Sequence, residues 1–134
     1  MSMIAILASE FNNFIVEKLI AGAEKVLKQA GYKYHIYRVP GAFELPLAAQ
    51  KLSKKHEAVI CLGAIIRGET PHFDYICAAT SKGLMQVGLT TGKPIIFGVL
   101  TTNTLAQAKA RAGKTNNKGL EAAKAAVQVL SASF

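Results

Sequence analysis

The ten residues Gly63–His72 hold two glycines, Arg67, Glu69, Thr70 and His72, directly behind the apolar run Ala58-Val-Ile-Cys-Leu62. Such a run is the profile of a strand buried on both faces of a parallel sheet, and ligands of open α/β sheets bind beyond the carboxyl ends of such strands. His72 has the side chain whose ordinary pKa suits proton transfer near neutrality. Of the other histidines, His35 belongs to a strand pattern and His56 precedes one, so His72 alone falls in a rim loop. Gly68 and Thr70 ahead of a helix offer backbone N–H groups and a hydroxyl to an anion, although a plain helix cap has the same composition. Phe11 could stack on a planar ligand or staple the first helix, and Glu44 could bind a polar ligand or serve as an ordinary first-turn charge.

The elements that must position these residues are legible from periodicity. Met3–Ala8 reads as a first strand. Asn12 or Asn13 then caps a helix with the stripe Val16, Leu19, Ile20, Ala23, Val26, Leu27 and Ala30, stopped by Gly31. Tyr34–Val39 is a second strand, broken by Pro40-Gly41, and a helix with Pro46 in its first turn follows. The third strand ends at Leu62. Pro71 opens a helix with Phe73, Ile76, Cys77, Thr80, Leu84 and Val87 on one face; after a turn at residues 90–94, Pro94–Leu100 is the fourth strand. A short helix from Leu105 to Ala112 and a longer one carrying Leu120, Ala123, Val127 and Leu130 finish the chain. Short βαβα connections imply right-handed crossovers. The expectation is one domain over residues 1–134, a flavodoxin-like α/β/α sandwich with a central four-stranded, mostly parallel sheet. Its rim then gathers Ser9–Asn12, Pro40–Glu44, Gly63–His72 and Thr101–Asn103.

Composition narrows the function classes. The chain has 134 residues, 51% of them apolar, with a net charge of +8 and a mean hydropathy of +0.26. That is rich for a lone soluble chain of one domain, so self-association is expected. The basic residues argue against a nucleic-acid partner: Lys18, Lys25 and Lys28 fall on the polar side of one helix, Lys51, Lys54 and Lys55 close another, and no exposed aromatics are interleaved with them. The exception is the acid-free stretch carrying Lys109, Arg111, Lys114 and Lys118. No apolar run approaches the roughly 18 residues of a membrane span, and Met1–Ala8 lacks a basic leader and a cleavage site, so a cytoplasmic chain without membrane partners is expected. Cys61 and Cys77 lack metal-ligand spacing and are expected as reduced core residues. GxGxxG, Walker and Ser-elbow sequences are all missing, which leaves dinucleotide, nucleoside triphosphate and hydrolase readings without their motifs.

Ser9-Glu-Phe-Asn12, Val39-Pro-Gly-Ala-Phe-Glu-Leu-Pro46, Leu62-Gly-Ala-Ile-Ile-Arg-Gly-Glu-Thr-Pro-His-Phe-Asp-Tyr75, Phe97-Gly-Val-Leu-Thr-Thr102, and Arg111-Ala-Gly113 with Asn117-Lys-Gly119 closely resemble the lumazine synthase family, in order and over nearly the whole chain. The resemblance implies condensation of 5-amino-6-(D-ribitylamino)uracil with 3,4-dihydroxy-2-butanone 4-phosphate to 6,7-dimethyl-8-ribityllumazine, in riboflavin biosynthesis, with no metal or organic cofactor. It implies that Phe11 stacks on the pyrimidine, that Ala42, Phe43 and Glu44 bind the ribityl chain with help from Asn12, and that Ala64, Ile65 and Ile66 line the ring pocket. Gly68, Glu69, Thr70 and Arg111 would meet the phosphate, and His72 would shuttle protons. By the same resemblance Phe97, Arg111 and Lys118 reach the site from a neighbouring subunit of a homopentamer.

The chain departs from the family pattern in three places. Asn103 and Ala106 stand where acidic residues are usual, with Asn103 expected to cap the following helix. The Gly113–Lys118 segment is shorter than in some capsid-forming members. The first core strand begins almost at once, where many relatives carry an extra strand-pairing segment, so a pentamer rather than a sixty-subunit shell is the expectation. A non-catalytic flavin or lumazine carrier would need neither His72 nor Arg111, and a phosphosugar enzyme of the same fold would need no aromatic stacking position.

Overall fold

In a computed structural model that describes residues 3–134, four strands alternate with five helices. Residues 1 and 2, part of the stretch read above for a leader, lie outside the described residues. The strands are β1 (Met3–Ser9), β2 (Lys33–Val39), β3 (Ala58–Ile66) and β4 (Ile95–Thr102). The helices are α1 (Asn13–Ala30), α2 (Leu45–Leu52), α3 (His72–Thr91), α4 (Leu105–Ala110) and α5 (Lys118–Ser131), and a 3-10 turn, Ala42–Glu44, leads into α2. The sheet order is β2-β1-β3-β4, and all three pairings are parallel. This is the expected three-layer flavodoxin-like sandwich, with a wholly parallel sheet.

Successive residues of β1 and β3 serve opposite layers. Ile4, Ile6, Ala8, Ile60 and Leu62 pack toward α1, α4 and α5, whereas Ala5, Leu7, Val59 and Cys61 pack toward α2 and α3. Both faces are covered, so these strands are apolar along almost their whole length. Among the described residues no helix is long and apolar enough to cross a membrane.

Several boundaries differ from the reading of the sequence for identifiable reasons. β3 continues past Leu62 to Ile66. Gly63 does not break it; a Cβ there would crowd the Ser9 side chain at 2.7 Å, so the glycine makes room between neighbouring strands. β4 likewise runs on to Thr102, while α4 stops at Ala110 rather than Ala112. In α5 the buried face is Gly119, Ala122, Ala123 and Ala126, with Leu120, Val127 and Leu130 only half-buried at its margins. The reason is close approach, since a Cβ on Gly119 would run into the Leu19 carbonyl of α1. Ala30, expected in the buried stripe of α1, is exposed in the last turn. Gly31 follows at φ 79°, where glycine carries no steric penalty, and closes the helix.

Candidate active site

All four strands deliver their carboxyl ends to one rim. A cavity of about 690 Å³ opens there, lined by Phe11, Ala42, Phe43, Glu44, Ala64, Ile65, Ile66, Gly68, Thr70 and His72, together with Ser9, Pro40, Gly41, Phe73 and Ile76. Ten residues singled out from the sequence therefore converge on one space. Phe11 and Phe43 are 72% and 61% exposed, far more than a staple or core residue would be. Apolar ring faces held open at a cavity mouth suit a planar heterocycle.

The backbone fixes these rings through the sheet. Glu10 N–H donates to Val39 O (2.8 Å) and Phe11 N–H to Pro40 O (3.1 Å), which prolongs the β1–β2 ladder past its last residues. Arg38 then ties the turn to α1: its guanidinium donates to Ser9 O, to the Asn13 side chain, and to Glu17 at 2.9 Å. Across the cavity the Glu44 carboxylate accepts the Gly41 N–H at 2.9 Å, which aims it before any ligand arrives.

Asn12 occupies the N-cap position of α1 without capping it. Its backbone is left-handed (φ 61°) and its side-chain amide instead donates to Ala64 O at 2.8 Å. It does not line the cavity; it anchors the turn that carries Phe11. Glu69 belongs to the loop beside His72 but is also absent from the lining. His72 is the first residue of α3 and exposed, and its backbone N–H lies 3.4 Å from Thr70 Oγ1. Among the described residues no side chain hydrogen-bonds its imidazole, so both ring nitrogens face solvent or ligand.

Phe97, Arg111 and Lys118 do not join this cavity. They line a second one, of about 260 Å³, with Thr101, Thr102, Asn116 and Glu121, flanking the edge strand β4. The two cavities share no lining residue. Arg111 donates to Gln107 O at 3.0 Å, and Lys118 pairs with Glu121 at 3.4 Å. The backbone between the two cations is braced by Asn117, quoted above only as part of a motif and given no role there. Asn117 is buried; its amide donates to Lys18 O and Gly113 O and accepts the Leu120 N–H, while the Lys118 N–H bonds Arg111 O at 2.9 Å. The sequence signal was available in an Asn directly ahead of a helix start.

Asn103 does not cap α4. Thr104 does, because Gln107 three residues on completes a reciprocal capping box; Asn103 instead accepts from Arg67 Nε at 2.9 Å. Cys61 is buried as expected, but Cys77 is only half-buried. Burial pushes the Cys77 thiol pKa up, the Asp74 carboxylate adds to this and Arg67 opposes it. Among the described residues no cluster of three or more His, Cys, Asp or Glu side chains could hold a metal ion.

An apolar-floored cavity beyond parallel strands, with aromatic rings at its mouth and a glycine-threonine-histidine loop beside them, defines a flavodoxin-like enzyme of small-molecule chemistry. The family model described as 6,7-dimethyl-8-ribityllumazine synthase matches residues 2–133. A protein of that name from Syntrophus aciditrophicus (strain SB) is 53% identical over 131 residues, which cover 93% of this chain and 85% of the relative. The chain belongs to the 6,7-dimethyl-8-ribityllumazine synthase family, transferases of riboflavin biosynthesis.

Proposed function

We propose that the first cavity binds 5-amino-6-(D-ribitylamino)uracil and that its condensation with 3,4-dihydroxy-2-butanone 4-phosphate takes place there. The convergence of Phe11, the Ala42–Glu44 turn and the Gly68–His72 loop on one cavity carries this reading. Phe11 stacks on the pyrimidine over the floor of Ala64, Ile65 and Ile66. Phe43 and Glu44 take the ribityl hydroxyls, with the carboxylate already aimed by Gly41. The 5-amine attacks the ketone and water leaves as the imine forms. A proton is then lost from the carbon beside the imine, and the C–O bond to phosphate breaks with its electron pair leaving on the phosphate. His72 handles the protons of these steps, and ring closure with a second dehydration gives the lumazine. Holding two reactants together supplies much of the rate in such a condensation.

Gly68 supports the phosphate assignment from a different direction. A Cβ there would meet nothing in the chain, and its φ lies outside the left-handed region, so the fold itself does not require glycine. Close approach of a ligand to the backbone N–H groups does. Arg111, a planar bidentate cation, completes the phosphate site from a second copy of the chain, and Phe97 and Lys118 come with it. This reading accounts for why these three residues line a separate cavity. It also gives a role to the exposed Leu47, Tyr75, Met85 and Leu89 of α2 and α3, an apolar surface suited to association. We read the assembly as a homopentamer and the chain as cytoplasmic.

The test is to mix the purified protein with both substrates and follow the lumazine chromophore. Synthesis that depends on both compounds supports the assignment. Binding of product without synthesis would make the protein a carrier and end the catalytic reading.

A further inference from the structure

The loop Gly68–Pro71 is exposed along its whole length and has little to hold it in place. At its far end Pro71 O accepts the Asp74 N–H at 3.0 Å in the first turn of α3, but ahead of it the support is the 3.4 Å contact from His72 N–H to Thr70 Oγ1, at the long limit of a hydrogen bond, and Gly68 has no neighbour within reach of a Cβ. Yet both ends are pinned by one side chain. Arg67 is the last residue joined to the sheet, its N–H donating to Thr102 O at 2.9 Å. Its guanidinium reaches over the loop to Asp74 in the first turn of α3, at 3.2 and 3.4 Å, and sideways to Asn103 Oδ1 at 2.9 Å. Its carbon centre lies 4.4 Å from the centre of the Phe73 ring, which lines the cavity although Arg67 does not.

The pair with Asp74 is exposed, with 43% and 60% of the two side chains accessible, and such pairs contribute little to stability. Planar, multi-point bonding holds geometry better than it holds a fold. Asn103 is itself fixed, its N–H donating to Gln107 Oε1 at 2.8 Å, so the guanidinium is set from two directions. We infer that Arg67 is a positioning residue, which clamps the β3–α3 loop between Asp74 and Asn103 so that the N–H groups of Gly68–Thr70 are preset for the phosphate of the butanone substrate. The inference rests on the phosphate assignment above and deepens it.

A direct phosphate ligand at Arg67 is the competing reading, and the two make opposite forecasts. The variant joining Asp74→Asn with Asn103→Ala keeps the Arg67 charge but releases the clamp. If Arg67 positions the loop, the KM for butanone phosphate rises about tenfold, the KM for ribitylaminouracil stays unchanged, and thermal unfolding moves little. Arg67→Lys, which cannot span both partners with one planar fork, shows the same split. A lower phosphate KM in the released variant would mean that Arg67 binds phosphate itself, an unchanged one that the loop needs no clamp, and an equal rise in both constants a general loss of structure; each overturns the inference. Gly68→Ala separates this from the site assignment. If it raises the phosphate KM while the released variant does not, the clamp alone is wrong; if neither does, the loop does not hold the phosphate.

Discussion

The side-chain amide of Asn12 donates a 2.8 Å hydrogen bond to the carbonyl of Ala64, which ties the turn after β1 to the last residues of β3. The bond joins the two segments that would sandwich the pyrimidine, Phe11 above and Ala64 below. Asn12 also has its backbone at φ 61°, a conformation that asparagine adopts far more readily than most residues.

Two substitutions divide these contributions. Asn12→Gly loses the bond but relaxes into the same backbone, and about 1 kcal/mol of stability should be lost, the worth of a typical partly buried hydrogen bond. Asn12→Ala adds the left-handed penalty, about a further 1–2 kcal/mol. Urea unfolding ranks the two, and equal loss in both would mean that the backbone conformation carries no cost here.

The same residue shows where sequence reading stops. The alternation of strands and helices, their order and the rim on which Phe11, Glu44, Gly68 and His72 meet all follow from local patterns, because a parallel sheet repeats one crossover. Gly63 looked like a strand end because its lack of a side chain is used across strands, against Ser9, and not along the chain. Asn12 and Asn103 read as helix caps because their composition is right for that role; what redirects them is a carbonyl at Ala64 and a guanidinium at Arg67, far away in sequence. The separation of Phe97, Arg111 and Lys118 from the main cavity had no local signature, and resemblance to a family anticipated it.

His72 invites a kinetic forecast. Its imidazole is exposed and has no protein partner among the described residues, so His72→Ala should fold as the parent does. Because bringing the amine and ketone together supplies much of the rate, the loss should fall at or below the ~10²-fold lower end for general acid–base groups. Single-turnover rates measure it. Complete loss of activity with both substrates still bound would show that proton transfer dominates the barrier.

Gly119 should tolerate nothing larger. An added methyl would enter the space of the Leu19 carbonyl, a backbone atom of α1 that cannot swing aside as a side-chain tip would. Gly119→Ala should therefore cost at least the ~3 kcal/mol upper end of overpacking. Denaturant unfolding checks this. Because Lys118 precedes the glycine and lines the second cavity, any folded fraction should also show weakened function if that cavity is half of the site as proposed.

The division of the proposed site residues between two cavities leads to a complementation experiment. If one chain supplies Phe11 and the next supplies Arg111, a Phe11→Ala chain and an Arg111→Ala chain each spoil every site of their own ring. Each defect also has its own signature: Phe11→Ala should weaken ribitylaminouracil binding, and Arg111→Ala should raise the need for the butanone phosphate. Mixed at random in equal amounts, each interface draws its two halves independently. About a quarter of the sites should then be wild type in a closed head-to-tail ring, about half should carry one defect and about a quarter both. The mixture should exceed either parent when both parents retain well under a quarter of normal activity, a condition that separate assays of each variant establish first. Recovery in purified hybrids, and none when the proteins are mixed without subunit exchange, is the expected outcome. Hybrids with proven mixing and no recovery would place the whole site within one chain, and the second cavity would then need another purpose.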